Sequence, residues 1–451
     1  MTRFETQPLE QVAVLFSGGT PRKSDAALWC GNVPWLTPRD MGNWTGTTEQ
    51  SVSSTAVGNG TKLAPENACY VAVRGMSLHS EIRVVKSSKP LTFNQDIKAI
   101  SALDAVDPMF LYYSLVAQKP QLLEWVTSAG HGTGVLETDR LKSLPIPIIP
   151  RSEQSRIAGI FASLDDKIEL NRRMNETLES MAQAIFHDWF VDFGPTRRKL
   201  EGATYPVTIM GGLVQDAERA QALADLFPAT LGDDGLPEGW SERKISDVAA
   251  RVAMGPFGSR ITKDNFVDHG VPVIRGKNLS AGFVDSDFVF LKPEKAEELK
   301  GSIARAQDIV FTHRGTLGQV GRIYPGATFE KYVVSQSQVL LSADPMKTSS
   351  LFLYYFFLSD AGQRAWMANA GGAGVPAIAS PTRSLKAITF VDPGIEVAGE
   401  FAAIVEAFET RIVASKRETK TLEATRDLLL PKLMCGEIRL SAAEDLMEAA
   451  Q

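Results

Sequence analysis

The chain has 451 residues, of which 44% are hydrophobic and 22% charged, with a formal net charge of −6. That length calls for two or three separate cores, and the balance excludes both a disordered and a fibrous chain. The acidic total argues against a simple DNA-binding module, whose phosphate contacts leave a basic signature, although a chain of this size can gather its Lys and Arg on one face.

No apolar run approaches the roughly 18 residues that cross a bilayer, and the start, MTRFETQPLEQVA, lacks a signal-peptide pattern, so the expected location is cytoplasmic, with no membrane contact. Cys30, Cys69 and Cys435 are odd in number and far apart. They fit a reducing compartment, as buried thiols, and neither a disulfide framework nor a metal cluster.

In chain order, residues 1–150 are rich in Gly, Pro and β-branched residues, with alternating stretches such as Glu81-Ile82-Arg83-Val84-Val85. This predicts a mixed, strand-rich α/β domain, with one helix over 110–126. Segment 151–194 follows as a single long helix in which Ile157, Phe161, Leu164, Ile168, Leu178, Ala182, Ile185 and Trp189 fall on the four-three spacing of a coiled coil. Residues 195–239 read as a linker with a basic start, Arg197-Arg198-Lys199, a short helix over 217–226 and the turn Gly232-Asp233-Asp234-Gly235. A second strand-rich domain spans 240–394, including Asp308-Ile309-Val310-Phe311 and a helix over 351–369. A second long helix takes 395–438 with Phe401, Val405, Phe408, Ile412, Leu422, Leu429 and Leu433 on the same spacing, before a frayed tail at 439–451.

The two halves repeat one another. Val33-Pro34 and Val271-Pro272 stand 238 positions apart (271 − 33), and Arg74-Gly75 and Arg314-Gly315 stand 240 apart (314 − 74). Phe110-Leu111-Tyr112-Tyr113 matches Phe352-Leu353-Tyr354-Tyr355, and along the helices Thr177-Leu178-Glu179 matches Thr421-Leu422-Glu423 at 244 (421 − 177). Pairs in unbroken order with so small a drift establish an internal repeat. The expected fold is therefore α+β: two mixed domains joined by two long helices in an antiparallel coiled coil, with pseudo-twofold symmetry. Each helix could instead pack only on its own domain. Against that, two matching narrow seams bury most readily on each other, with the polar positions Asn171, Asn175, Ser415 and Thr419 fixing register at some cost in stability.

Reacting constellations for nucleic-acid chemistry are missing. The sequence has no Pro-Pro dipeptide, and so no Asn/Asp-Pro-Pro-aromatic loop of an amino-methyltransferase. Phe16-Ser17-Gly18-Gly19-Thr20 reads as a turn before Pro21, not as a cofactor loop. Gly270…Gly276-Lys277-Asn278 lacks the spacing and the Ser or Thr of a phosphate loop. His79, His131, His187, His269 and His313 never stand in ligand or catalytic spacing, and Glu294-Lys295 reads as an exposed helix. The expectation is no catalytic residue, no metal site and no cofactor on this chain.

Pro145-Ile146-Pro147-Ile148-Ile149-Pro150 with Glu153-Gln154, the run Leu164-Asp165-Asp166-Lys167-Ile168-Glu169-Leu170-Asn171-Arg172-Arg173-Met174-Asn175-Glu176, and Trp189-Phe190-Val191-Asp192-Phe193 resemble the central region of the specificity subunits of type I restriction-modification systems. Leu236-Pro237-Glu238-Gly239-Trp240 fits the start of that family's second half. Gly18-Gly19-Thr20-Pro21, and Gly255-Pro256-Phe257-Gly258-Ser259 with Val271-Pro272-Val273-Ile274-Arg275-Gly276, are similar to the openings of its target-recognition domains. The second helix departs from the pattern, opening with Gly394-Ile395-Glu396 in place of a proline-rich Glu-Gln start.

The resemblance implies two target-recognition domains, each reading one half of a bipartite site on double-stranded DNA, held apart by the helices. It also implies partners: two methyltransferase subunits that use S-adenosylmethionine on adenine N6, and motor-nuclease subunits that use ATP and Mg²⁺. Base reading needs donors that reach groove edges. The candidates are Lys23, Arg39 and Arg74 in the first domain, and Arg260, Lys263, Arg275, Lys277 and Arg314 in the second. Arg74 and Arg314 recur in both copies, which suits shared framework or phosphate contact better than base choice. The other reading of each is a solvated surface charge. A reading from another class makes the chain a protein-protein adaptor, and a third hides a nuclease or methyltransferase site in it.

Overall fold

The computed structural model describes residues 4–129, 132–256, 260–372 and 374–443. Phe257-Gly258-Ser259 of the second domain opening, His131 and tail residues 444–451 lie outside the described residues. The chain forms two compact units, residues 1–172 with 415–451, and residues 173–414. Each unit therefore holds one strand-rich domain and half of each long helix.

In the first unit a four-stranded antiparallel sheet has the order Ala13–Ser17, Ile97–Ala102, Cys69–Ala72, Val84–Lys86. A second sheet runs Gln50–Val52, Val33–Leu36, Leu91–Phe93, Lys62–Ala64, and its central pair is parallel. The second unit repeats both, with one further strand, Phe266–Val267, at the edge of its mixed sheet. Its antiparallel sheet is Ala249–Met254, Gln338–Ala343, Ile309–Thr312, Val320–Arg322, and its mixed sheet again has a parallel central pair, Val271–Ile274 with Tyr332–Val334. The repeat read from residue pairs is thus a repeat of strand order and direction.

The helix expected over 110–126 is two helices, Pro108–Ala117 and Lys119–Glu124, and that over 351–369 is Ser350–Leu358 and Asp360–Met367. Pro120 cannot continue the first helix, because its ring clashes with the preceding turn and it has no N–H. At the second break Ser359 Oγ accepts from Gly362 N at 3.3 Å, capping the next helix. A Cβ on Gly362 would stand 2.0 Å from Phe356 O, so only glycine closes that corner.

Both long helices have forty residues, Arg151–Phe190 and Ile395–Met434. In the first unit Ile157, Phe161 and Leu164 share a buried core with Leu422, Leu429 and Leu433, and Ile168 is half-buried against it. In the second, Ala182, Ile185 and Trp189 share one with Phe401 and Val405, with Phe408 packed against it. Early residues of one helix meet late residues of the other in both units, so the pair is antiparallel. Ile412 is buried and Leu178 half-buried. Phe186 and Phe190, off the four-three spacing, are buried as well because the domain covers a further side of the helix. Buried Asn171 donates to Glu418 Oε2 at 2.9 Å, and Lys167 Nζ lies 3.4 Å from Glu418 Oε1.

The repeat puts Asp165 and Glu409 at equivalent helix positions, 244 apart (409 − 165), and each ties its own domain to the helix pair. Asp165 accepts from Tyr113 Oη and from Arg426 Nη1, both at 2.8 Å. Glu409 accepts both oxygens' bonds from buried Arg322, at 2.8 and 2.7 Å. The helix starts differ. Buried Gln154 donates to Ile149 O at 2.9 Å and accepts from Asp107 N at 2.8 Å. The second helix begins at Ile395 after Gly394 at φ +86°, where Asp392 accepts from Gly394 N at 3.0 Å and from Arg243 at 2.7 Å.

Two expectations need correction. Segment 195–239 is more than a linker: it forms helices Gly194–Leu200, Pro206–Ile209 and Ala217–Asp225, and buries Ile209, Met210, Leu223 and Phe227 in one core with Trp189 and Trp240. Its basic start is structural, since Arg198 forks onto both Asp188 oxygens at 2.8 Å and Lys199 Nζ donates to Ala224 O at 2.8 Å. Burial holds the Lys199 ammonium below its usual range. Of the three thiols only Cys69 is buried, and burial pushes it up to about 12; Cys30 and Cys435 are exposed. Trp189→Ala should cost about 3–5 kcal/mol, read as a lower urea midpoint. Val191→Ala, at an exposed neighbour, should stay within about 0.5 kcal/mol.

Candidate nucleic-acid interface

One corner is built from the same backbone hydrogen bonds in both domains. After the parallel strand pair, Asn94 N donates to Leu36 O at 3.0 Å in the first domain, and Ser335 N donates to Ile274 O at 3.0 Å in the second. Val73 N donates to Asp96 O at 2.8 Å, and His313 N to Ser337 O at 2.9 Å. Loops 94–96 and 335–337 are therefore equivalent. They carry Gln95 and Gln336, and Arg74 and Arg314 follow directly on the residues bonded to them. Gly18 and Gly255 lie against these loops, where a Cβ would stand 2.2 Å from Asn94 O and 1.8 Å from Ser335 O. Gly18 thus serves a close backbone approach, beyond the turn that the sequence suggested.

In the second domain the corner opens into a cleft of about 620 Å³ that brings together Arg275 and Arg314 among the candidate cations. Gln319, Gln336 and Gln338 also line it, with Ile261 and Phe266 on an apolar side. Arg275 is half-buried; its Nη2 reaches Asp287 O at 3.4 Å, and its buried Nε has no partner. Arg314 is exposed. The other candidates are not among the lining residues: Arg260 and Lys263 are exposed, and exposed Lys277 lies 3.9 Å from Asp287.

In the first domain Lys23 and Arg74 are exposed, and Arg39 is exposed with Glu49 at 3.4 Å. No hydrogen bond or ion pair joins these three to one another among the described residues. Burial, with the charges of Lys142 and Lys62, holds the Lys98 ammonium of this domain below its usual range, and Lys98 Nζ donates to Ser17 Oγ at 2.7 Å. Sequence reasoning missed the amides of the second domain's cleft. Ser335-Gln336-Ser337-Gln338 stood in plain view, but a search for charge passes over neutral donors.

Among the described residues no group of three His, Cys, Asp or Glu could hold a metal ion, and no helix is long and apolar enough to cross a membrane. Residues 1–180 match the family model for the type I restriction modification DNA specificity domain. The type I restriction enzyme MjaIX specificity subunit of Methanocaldococcus jannaschii is 22% identical over 97% of this chain and 94% of its own. The HindI specificity subunit of Haemophilus influenzae is 26% identical over 73% of this chain and 77% of its own. The chain is thus similar to type I specificity subunits over nearly its whole length. The fold agrees: the crystal structure of a type I restriction-modification S subunit from M. genitalium superposes with a TM-score of 0.56, at 15% identity, over 96% of both chains.

One titratable group sits at the corner itself. His313 is buried and its Nε2 lies 3.1 Å from Gln336 O, so the ring donates there; the first domain has buried Val73 at the same point. Burial, with Arg314 nearby, lowers the His313 pKa from 6.5. The unfolded chain therefore takes up the proton first as pH falls, and the second domain loses stability below pH 6.5. In thermal melts from about pH 7.5 to 5.5, the wild type should lose more melting temperature than His313→Val, whose slope should be shallower.

Proposed function

We infer that this chain is the DNA-addressing subunit of a type I restriction-modification complex. Each domain reads one half of a bipartite site on double-stranded DNA. The helix pair sets the gap between the half-sites and docks two methyltransferase subunits, with two motor-nuclease subunits able to join for restriction. S-adenosylmethionine would be held by the methyltransferase partner, and ATP and Mg²⁺ by the motor-nuclease partner. This chain would hold no cofactor, carry out no catalytic step and work in the cytoplasm.

One observation carries the reading. Two domains share a backbone corner, hydrogen bond for hydrogen bond, and yet present different side chains around it. Thr37 stands where the second domain has Arg275: Thr37 N donates to Asp40 at 2.8 Å, and Arg275 N to Asn278 at 3.1 Å. A common frame with different donors is what two unlike half-sites require. The acidic total does not oppose this, because in the second domain Arg275 and Arg314 are gathered in one cleft.

The spacing role is tested by inserting one heptad into the polar middle of each helix, in the chain expressed with its methyltransferase partner. Seven residues add about 10 Å of helix at ~1.5 Å each, so the gap in the methylated motif should widen by up to about 3 base pairs. Both half-sites should stay as they were. An unchanged gap, or altered half-sites, would contradict this role.

A further inference from the structure

Matched backbone hydrogen bonds allow the two domains to be compared side chain by side chain. Ala72 N donates to Arg83 O at 3.1 Å, and Thr312 N to Gln319 O at 3.0 Å. Ile97 pairs with Ala72 across the antiparallel sheet as Gln338 pairs with Thr312. The first domain thus has Ala72, Arg83 and Ile97 where the second has Thr312, Gln319 and Gln338.

The two sets behave differently. Arg83 is committed to its own domain, with Nη1 donating to Pro38 O at 2.8 Å and Nε lying 3.2 Å from Glu81. In the second domain the three residues form a polar chain beneath the cleft. Ser335 Oγ donates to Gln338 Oε1; Gln338 Nε2 lies 3.4 Å from Thr312 Oγ1; and Thr312 Oγ1 donates to Gln319 Oε1 at 3.0 Å. Gln338 and Thr312 are buried. A buried amide and hydroxyl are costly unless satisfied, and this pair is satisfied by a chain that ends on Gln319 at the cleft wall. The Gln319 amide is thereby held in one orientation, and among the described residues Thr312 is its side-chain hydrogen-bond partner. Arg275, with its unpartnered Nε, lines the same cleft.

We propose that Gln319 and Arg275 choose bases for the half-site read by the second domain, Gln319 an adenine and Arg275 a guanine, and that Gln338 and Thr312 position Gln319. The pairings follow from geometry, since a glutamine amide matches the adenine N6 and N7 edge and a guanidinium matches guanine O6 and N7. Donors held by a buried network discriminate better than mobile ones, because they cannot turn to suit another base. The first domain, with Thr37 and a committed Arg83 in these places, must choose its bases by other side chains. This inference rests on the DNA-addressing reading above.

The test uses the full chain, purified with its co-expressed methyltransferase subunits. It selects from a pool of duplexes with two randomised windows at several gaps, and the bound DNA is sequenced. The wild type should enrich a split motif. Gln319→Leu should relax one adenine by about tenfold or more in one half only, and Arg275→Ala one guanine in the same half. The other half and the gap should not change. Thr312→Val keeps volume, removes the hydroxyl, and should relax the same adenine as Gln319→Leu. Gln338→Ile installs the first domain's residue and should do likewise; if its melt shows an unfolded domain, Thr312→Val alone decides the positioning role. Weaker binding with unchanged base preference in Gln319→Leu and Arg275→Ala would overturn the assignment while leaving the addressing reading intact. A wild type that enriches no split motif would overturn that reading, and this one with it.

Discussion

The apolar seam on each forty-residue helix has to be buried, and a helix cannot bury its own seam. The first seam is covered by the second helix, which returns in the opposite direction, and each compact unit forms around one stretch of that contact. Each domain shares an apolar core with this pair and is tied to it by specific bonds as well. Asp165 takes Tyr113 and Arg426, and Glu409 takes Arg322, so each domain is keyed to the helices through one buried or half-buried carboxylate. The polar contact of Asn171 with Glu418 in the seam adds little stability by burial, but it penalises a shift in register, because a slipped pair would leave a buried amide unpaired.

On that scaffold the domains solve two problems with one backbone. The crossing of the parallel pair into loops 94–96 and 335–337 is fixed by backbone hydrogen bonds and by glycines that permit close approach, so it does not depend on which side chains face outward. The side chains around it are free to differ, and they do: Thr37 for Arg275, Val73 for His313, Ile97 for Gln338. Frame and side-chain chemistry are therefore separable. The proposed reading of two unlike half-sites needs that separation.

Much of this was legible from the residues. The repeat appeared in ordered pairs, and the helix seams in their spacing, because periodicity and internal similarity are direct consequences of packing. The breaks within the domain helices were less visible, since Pro120 and Ser359 interrupt an otherwise continuous apolar pattern. Segment 195–239 looked like a linker because its few apolar residues are scattered; their burial depends on Trp189 and Trp240, which flank it in sequence but meet it only in the fold. Gathering of candidates was illegible for the same reason. Arg275 and Arg314 line one cleft while Lys277, two residues from Arg275, does not. The amides of Gln319 and Gln338 gain meaning only from neighbours far along the chain.

The central claim is that this chain supplies the address for methylation. It is tested most directly by sequencing N6-methyladenine across the genome of a host that carries the methyltransferase partner, with and without this chain. The account predicts a split motif with a fixed gap that is present only with the chain. A motif that persists without it, or none that depends on it, would contradict the account and favour a protein-protein adaptor.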